Sequence, residues 1–235
     1  MMKLTNDRII EWDVHNWSQA LPFWEEVLKQ FIPSETKILA LGERSGGLSI
    51  WLAQKGYKVI CSDFGGIAEN VQNEHKQYLG NDNIQYRDIN IFKIPFSDHE
   101  FDIVIAKSVI GGLKLIQSDK STRSLENQKL AIQEIFRVLK DSGYFLGAEN
   151  LVGHKAIQRL REFYKKGNIG WRHLNPNEVI ELFAPFSKLK TKFFGLLPGL
   201  FKSNIVNLVI YKINTMLDKI LNDNHKYICF FCARK

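Results

Sequence analysis

The sequence predicts an α/β fold built on a doubly wound, mostly parallel sheet. Three observations carry that expectation. Five short apolar segments alternate with stretches of helical periodicity, which is the pattern of βαβ units. One of them, residues 101–106 (FDIVIA), is nearly all apolar, as a central parallel strand covered on both faces must be. A glycine-rich turn and two aspartates fall directly after the first three strands, at the edge where open parallel sheets take their ligands.

The elements follow in order. Residues 5–32 read as helices, because Leu21, Trp24, Val27, Leu28 and Phe31 recur at helical spacing and Pro22 suits a first turn. Lys37–Leu41 is a short apolar strand ending at Gly42; residues 48–54 then read as a helix that Gly56 stops. Residues 57–62 form a second strand closed by Asp63, and a helix over about 66–79 ends at Gly80. Residues 84–87 make a third strand closed by Asp88, and residues 101–106 a fourth. A long helix over about 124–139 runs into a turn at 140–143, and residues 144–148 make the fifth strand. Helices near 155–166 and 176–184, strands near 188–195 and 226–233, and an apolar insertion at about 196–222 complete the chain. No internal repeat or low-complexity linker interrupts it. The expected organisation is an N-terminal helical lid over 1–34 and one domain over 35–235 carrying the insertion.

Composition narrows the function. A chain of 235 residues, 45% hydrophobic, buries a core without metals or cross-links, which excludes disordered, collagen-like and disulfide-scaffold classes. The formal charge of +7 is spread along the chain rather than gathered into a stripe, which argues against a nucleic-acid partner. The first residues lack an apolar signal region, and no run of about 18 apolar residues predicts a spanning helix. Three cysteines make an odd number, so a disulfide framework is not expected and the cytoplasm is the expected compartment. Cys229 and Cys232 form a CxxC, but on a strand two residues three apart face opposite ways and read as buried thiols.

The chemistry should lie just after the strands. Gly42, Glu43, Arg44, Ser45 and Gly46 form a turn whose glycines let the backbone approach a ligand, while the next helix offers free N–H groups. Asp63, with Phe64 after it, ends the second strand, where a carboxylate can accept both hydroxyls of a ribose. Asp88 and Ile89 end the third, where one hydrogen bond and one apolar face can hold an adenine. Three such strand ends in succession describe an adenosine site. Arg44 stands where a nicotinamide-binding loop needs its second glycine, and no Walker loop is present.

The wider pattern resembles a known family. KILALGERSGGLSIWLA resembles the first motif of class I S-adenosylmethionine-dependent methyltransferases, FDIVIAKSVIGGL their fourth-strand segment, and EIFRVLKDSGYFLGAEN their helix, turn and fifth strand. The resemblance covers about residues 35–150. It implies a Rossmann-like sheet of seven strands with the last antiparallel, S-adenosylmethionine as cofactor, and methyl transfer to a small-molecule, sugar or lipid-linked acceptor. EWDVHNWSQALPFWE and GWRHL resemble pieces of a bacterial small-molecule or polysaccharide-cluster branch. An RNA methyltransferase and a non-catalytic cofactor-binding protein remain alternative readings. There is no Asn/Asp-Pro-Pro-Tyr/Phe motif after the fourth strand, where Lys107, Ser108, Val109 and Ile110 stand.

Two positions depart from the family. Ala40 stands where an acidic residue usually serves the methionine end of the cofactor, and Arg44 replaces a glycine. Glu43, or Asp13 from the N-terminal helices, is expected to supply the missing negative charge. Lys107 is expected beside the methionine moiety, with its carbonyl facing in and its ammonium pointing away from the sulfonium. Trp17 and Ser18 are expected to reach the cofactor from the lid. A general base is needed only for a hydroxyl or protonated amine acceptor. His154 is the favoured candidate, ahead of His173 and His15, and Glu149 and Asn150 are expected near the acceptor. In the insertion, Val206, Val209, Ile210, Ile213, Leu217 and Ile220 recur at helical spacing with Lys202, Lys212 and Lys219 between them. That pattern fits a cover over the acceptor pocket, a dimer seam, or an interfacial helix giving peripheral membrane contact. The oligomeric state is left open.

Overall fold

The computed structural model describes residues 2–80, 82–113, 115–117, 120–122, 125–164 and 171–235. The strands are β1 (Lys37–Leu41), β2 (Lys58–Asp63), β3 (Ile84–Asp88), β4 (Phe101–Lys107), a small hairpin of β5 (Leu115–Gln117) and β6 (Lys120–Thr122), then β7 (Leu139–Asn150), β8 (Lys188–Phe194) and β9 (Ile228–Arg234). Seven of them form one sheet in the order β3-β2-β1-β4-β7-β9-β8. β9 runs antiparallel to both its neighbours, and every other pair between β3 and β7 is parallel. The doubly wound seven-stranded sheet with an antiparallel last strand is what the sequence predicts. Burial explains why β9 lies inside: all its residues but Arg234 are buried, whereas β8 alternates and offers Lys188, Lys190 and Lys192 as an edge.

Helices cover both faces: α1 (Asn6–Ile10), α2 (Val14–Trp17), α3 (Ala20–Leu28), α4 (Gly47–Gln54), α5 (Glu69–His75), α6 (Leu125–Val138), α7 (Lys155–Tyr164), α8 (Pro176–Leu182) and α9 (Asn204–Leu217). The strand period of two sorts the core. Ile38, Ala40, Ile103 and Ile105 face Leu21, Trp24, Val27 and Leu52 of α3 and α4, while Leu39, Leu41 and Val104 face Ile132, Ile135 and Val179 of α6 and α8. Cys232 falls in the first cluster and Cys229 in the second, on opposite faces, and all three thiols are free and buried. The N-terminal helices are part of the first cluster; Trp24 donates its indole N–H to the Gly147 carbonyl.

Two boundaries differ from the sequence expectation. The helix placed over 66–79 is confined to Glu69–His75, because Gly65 and Gly66 both take positive φ and His75 turns inward at the other end. β7 starts directly after α6 at Leu139 and runs through 140–143, where a turn is expected, and its pairing with β4 shifts register between Phe101 and Ile103.

Two tethers shape the ligand edge of the sheet. The buried Glu149 carboxylate, at the end of β7, accepts the N–H groups of Val109 (2.6 Å), Ile110 (2.7 Å) and Gly111 (3.3 Å) in the loop after β4. Asp13 joins the two ends of the chain: its Oδ1 accepts from Asn16 and from the Gly199 N–H, and its Oδ2 from the Tyr227 hydroxyl. Asn16 in turn accepts from Asn214 of α9.

Gly47, at the start of α4, sits under the N-terminal segment, and a Cβ there would lie 2.5 Å from the Ile9 carbonyl oxygen and 2.6 Å from that of Arg8. Both obstacles are backbone, so Gly47→Ala is expected to cost about 1–3 kcal/mol in urea unfolding. Glu149→Gln turns an amide N–H2 toward backbone donors and is expected to cost about 1–3 kcal/mol in the same assay.

Candidate active site

β1 and β4 are neighbours whose connections leave in opposite directions, so a crevice opens beyond their carboxyl ends. The cleft there has a volume of about 840 Å³, within the usual size of small-ligand sites. Gly42, Glu43 and Arg44 form its floor. Gly42 has φ +67° and a Cβ on it would lie 2.5 Å from Val109 Cγ2, so only glycine lets the two loops meet. Arg44 takes φ +32°, adopting as an arginine the left-handed backbone natural to the glycine it replaces. Ser108 (φ +56°) and Glu11 (φ +72°) are strained in the same way, and both line the cleft.

Gly46 lies behind this floor. Its missing side chain makes room for the His75 ring, which bonds the Ser45 carbonyl oxygen and the Tyr86 hydroxyl, each at 2.9 Å. Burial depresses the His75 pKa, which favours a neutral ring. Asp63 and Phe64 line the cleft at the end of β2. Asp63 accepts from the N–H groups of Phe64 and Arg44, but burial outweighs them and raises its pKa. Phe64 is 73% exposed, an aromatic ring standing at the rim. Ile89 lines the cleft, whereas the Asp88 carboxylate turns aside to accept the Gly65 N–H at 2.8 Å.

Glu43 is buried, and its Oε2 accepts from the Ser49 N–H (2.9 Å) and hydroxyl (3.0 Å), capping α4. Burial lifts its pKa and depresses that of Lys107 across the site. Lys107 lines the cleft, and its ammonium is engaged by the N-terminal segment. Nζ lies 3.3 Å from the Trp12 ring centroid and donates to the Ile10 carbonyl oxygen at 3.1 Å, a cage that holds a cation in the wall.

Trp17, Ser18, Asp13, His154 and His15 lie elsewhere. Trp17 is 1% exposed and packs edge-on behind Trp12, while Ser18 faces a shallow depression with Pro22 and Glu25. The N-terminal residues that do reach the cleft are Ile9, Glu11 and Trp12. A tryptophan between two acids in EWD was the available sign. Asp13 cannot compensate for Ala40, since its oxygens are taken by Asn16, Gly199 and Tyr227. His154 is not in the cleft either: its Nδ1 accepts the Ala156 N–H, capping α7, and its ring packs 5.0 Å from His225. His15 bonds Asn204 outside the cleft. His173 is the histidine that lines it, beside Trp171 and Asn150, and Asn150 donates to the Ser108 hydroxyl at 3.1 Å. Glu149 lies beneath the loop it tethers, with burial raising its pKa to about 7 against the pull of its three N–H donors.

Residues 39–147 match the family model described as a methyltransferase domain. No curated protein sequence matches the chain. Among solved structures, the fold is similar to phosphoethanolamine N-methyltransferase 2 of Haemonchus contortus, in complex with phosphomonomethylethanolamine and S-adenosylhomocysteine. That likeness has a TM-score of 0.63 at 17% identity, over 93% of this chain and 53% of that one. A structure of the same Haemonchus contortus protein with S-adenosyl-L-methionine gives a TM-score of 0.59 at 19% identity, over 93% and 52%. The chain thus spans about half the length of those proteins. A putative methyltransferase of Bacillus halodurans is similar over 93% of this chain and 99% of its own, with a TM-score of 0.58 at 15% identity. Residues 39–147 thus match a methyltransferase-domain model, and the chain has the fold of the solved methyltransferases it is similar to.

Proposed function

We propose that the chain transfers a methyl group from S-adenosylmethionine to a small-molecule, sugar or lipid-linked acceptor. The observation that carries this reading is the convergence of Gly42, Glu43, Arg44, Asp63, Ile89 and Lys107, from four strand ends, on one cleft. The residues fit the cofactor. Asp63 would take the ribose hydroxyls, Ile89 and Phe64 would flank the adenine, and the closeness of Gly42 to Val109 leaves a cradle that a Cβ would fill. Glu43 would stand at the methionine end, its carboxylate oriented by Ser49 and supplying the negative charge that Ala40 does not.

The bound cofactor supplies an electrophilic methyl carbon. The protein's part is then to align an acceptor atom near 3 Å and keep water out, roughly the proximity contribution of any in-line displacement. Trp12 and the caged Lys107 close one wall; Trp171, His173 and Asn150 form the side from which an acceptor would approach. Where that acceptor is a hydroxyl or protonated amine, His173 is the imidazole placed to take the proton. The small amine held by the Haemonchus contortus protein supports an acceptor of modest size.

Calorimetry with S-adenosylmethionine, S-adenosylhomocysteine and NAD tests the cofactor assignment. Binding of the first two in the micromolar range and none of NAD is expected; absence of all three would remove the reading. Glu43→Gln should weaken S-adenosylmethionine binding about tenfold, ~1.4 kcal/mol. The ratio of affinities for S-adenosylmethionine over S-adenosylhomocysteine should rise from about pH 6 to about pH 9. Glu43, with its raised pKa, gains its negative charge in that window, and Lys107, with its lowered one, loses its positive charge. Both changes favour the sulfonium cation, which the homocysteine product lacks.

A further inference from the structure

We propose that α9 docks the protein on an anionic lipid surface, with the mouth of the cleft held against that surface at Leu200. The helix buries Ile210 and half-buries Tyr211 and Leu217, but its other apolar residues face outward, unlike those of an ordinary surface helix. Its inward side carries asparagines: Asn214 accepts from the N–H groups of Leu196 and Leu197, each at 3.0 Å, and donates to the Leu197 carbonyl oxygen and to Asn16. Asn207 likewise accepts from and donates to the Phe201 backbone. Its outward side and the turn beyond it carry aliphatics: Ile205 is 76% exposed, Met216 76% and Ile220 78%, with Val206, Val209 and Ile213 beside them. A contiguous apolar face of this kind on a soluble domain marks something that covers it.

Charge says what covers it. Lys202, Lys212 and Lys219 stand in solvent around the face. From 185 to 222 the one acidic residue is Asp218, and it is bridged to Lys226 at 3.1 Å. A second copy seated here would bring the same lysines against each other, on a chain already at +7. An anionic bilayer meets both the aliphatics and the lysines. Among the described residues no helix is long and apolar enough to cross a membrane, so α9 lies along the surface.

The segment that leads into α9 reaches the cleft. Leu200 lines the cleft and is 52% exposed, and Phe201 beside it is 59% exposed. Gly199 is tied to Asp13, one residue from the Trp12 that walls the site. Docking would therefore set the cleft at the headgroup layer, where it takes an amphiphile whose polar head enters and whose tail stays in the lipid. That acceptor class rests on the methyl-transfer reading; the docking does not.

The test is co-sedimentation of the full chain with vesicles of phosphatidylcholine alone and with phosphatidylglycerol added. Binding to the anionic vesicles, weakened by salt, is expected. It should fall about tenfold or more in Ile205→Glu/Met216→Glu and in Lys202→Glu/Lys212→Glu/Lys219→Glu. All these side chains are exposed, so melting temperature and S-adenosylhomocysteine affinity should be unchanged in both variants. No binding to anionic vesicles, or binding that survives both variants, overturns the proposal. So does a dimer in solution that Ile205→Glu/Met216→Glu converts to monomer, because a second copy would then cover the face. Vesicle binding by a chain with no affinity for S-adenosylhomocysteine upholds the docking and removes the acceptor class.

Discussion

Backbone N–H groups at the carboxyl edge of a parallel sheet have to find acceptors without filling the crevice that the edge exists to leave open. In this protein acidic side chains meet that constraint almost everywhere along the edge. Glu43 takes the Ser49 N–H, Asp63 the Phe64 N–H, Asp88 the Gly65 N–H, and Glu149 three N–H groups in succession. Each carboxylate turns sideways into a loop and fixes it. The loops can then approach one another, as Gly42 and Val109 do, with a hollow between them.

The same arrangement sets the electrostatics of the hollow. Three of these carboxylates, Glu43, Asp63 and Glu149, are partly or wholly buried, and burial raises their pKa values together. Lys107 opposes them from β4, held by an aromatic ring and a carbonyl rather than by a direct ion pair. The wall therefore carries charges of both signs near their titration ranges, an arrangement more typical of sites that handle charged ligands than of structural ion pairs. The departures at Ala40 and Arg44 fall into place within it. Arg44 keeps the backbone conformation of the missing glycine, and Glu43 stands three residues beyond the missing acid on the same strand end.

Much of this was legible in the residues. Strand period, apolar runs and glycine stops located six of the seven sheet strands closely, because those signals come from local burial and backbone freedom. Strand-end acids were legible as a set, but which of them faces the cleft was not: Asp88 and Asp63 look alike in sequence, and only the Gly65 turn diverts one of them. Trp17 and Trp12 look alike in sequence for a similar reason, since which tryptophan is core and which is wall depends on where α2 lands on the sheet. His154 and His173 both follow the fifth strand, and only the cap on α7 separates their roles. In α9 the periodicity was plain, but a period gives a stripe without giving the side it faces. The buried asparagines decided that, through partners nearly two hundred residues away.

β9 is the last strand in the chain yet lies between β7 and β8, and Tyr227 just before it holds Asp13 beside the cleft wall. On a ribosome, Asp13 emerges 214 residues ahead of Tyr227. Until residue 227 is free of the tunnel, Asp13 has no Tyr227 hydroxyl, and the Trp12 wall is without that anchor. The cleft wall thus gains this anchor only once residue 227 has emerged. A product cut before residue 227 would have the glycine turn and the strand-end acids, with a wall that lacks its Tyr227 anchor.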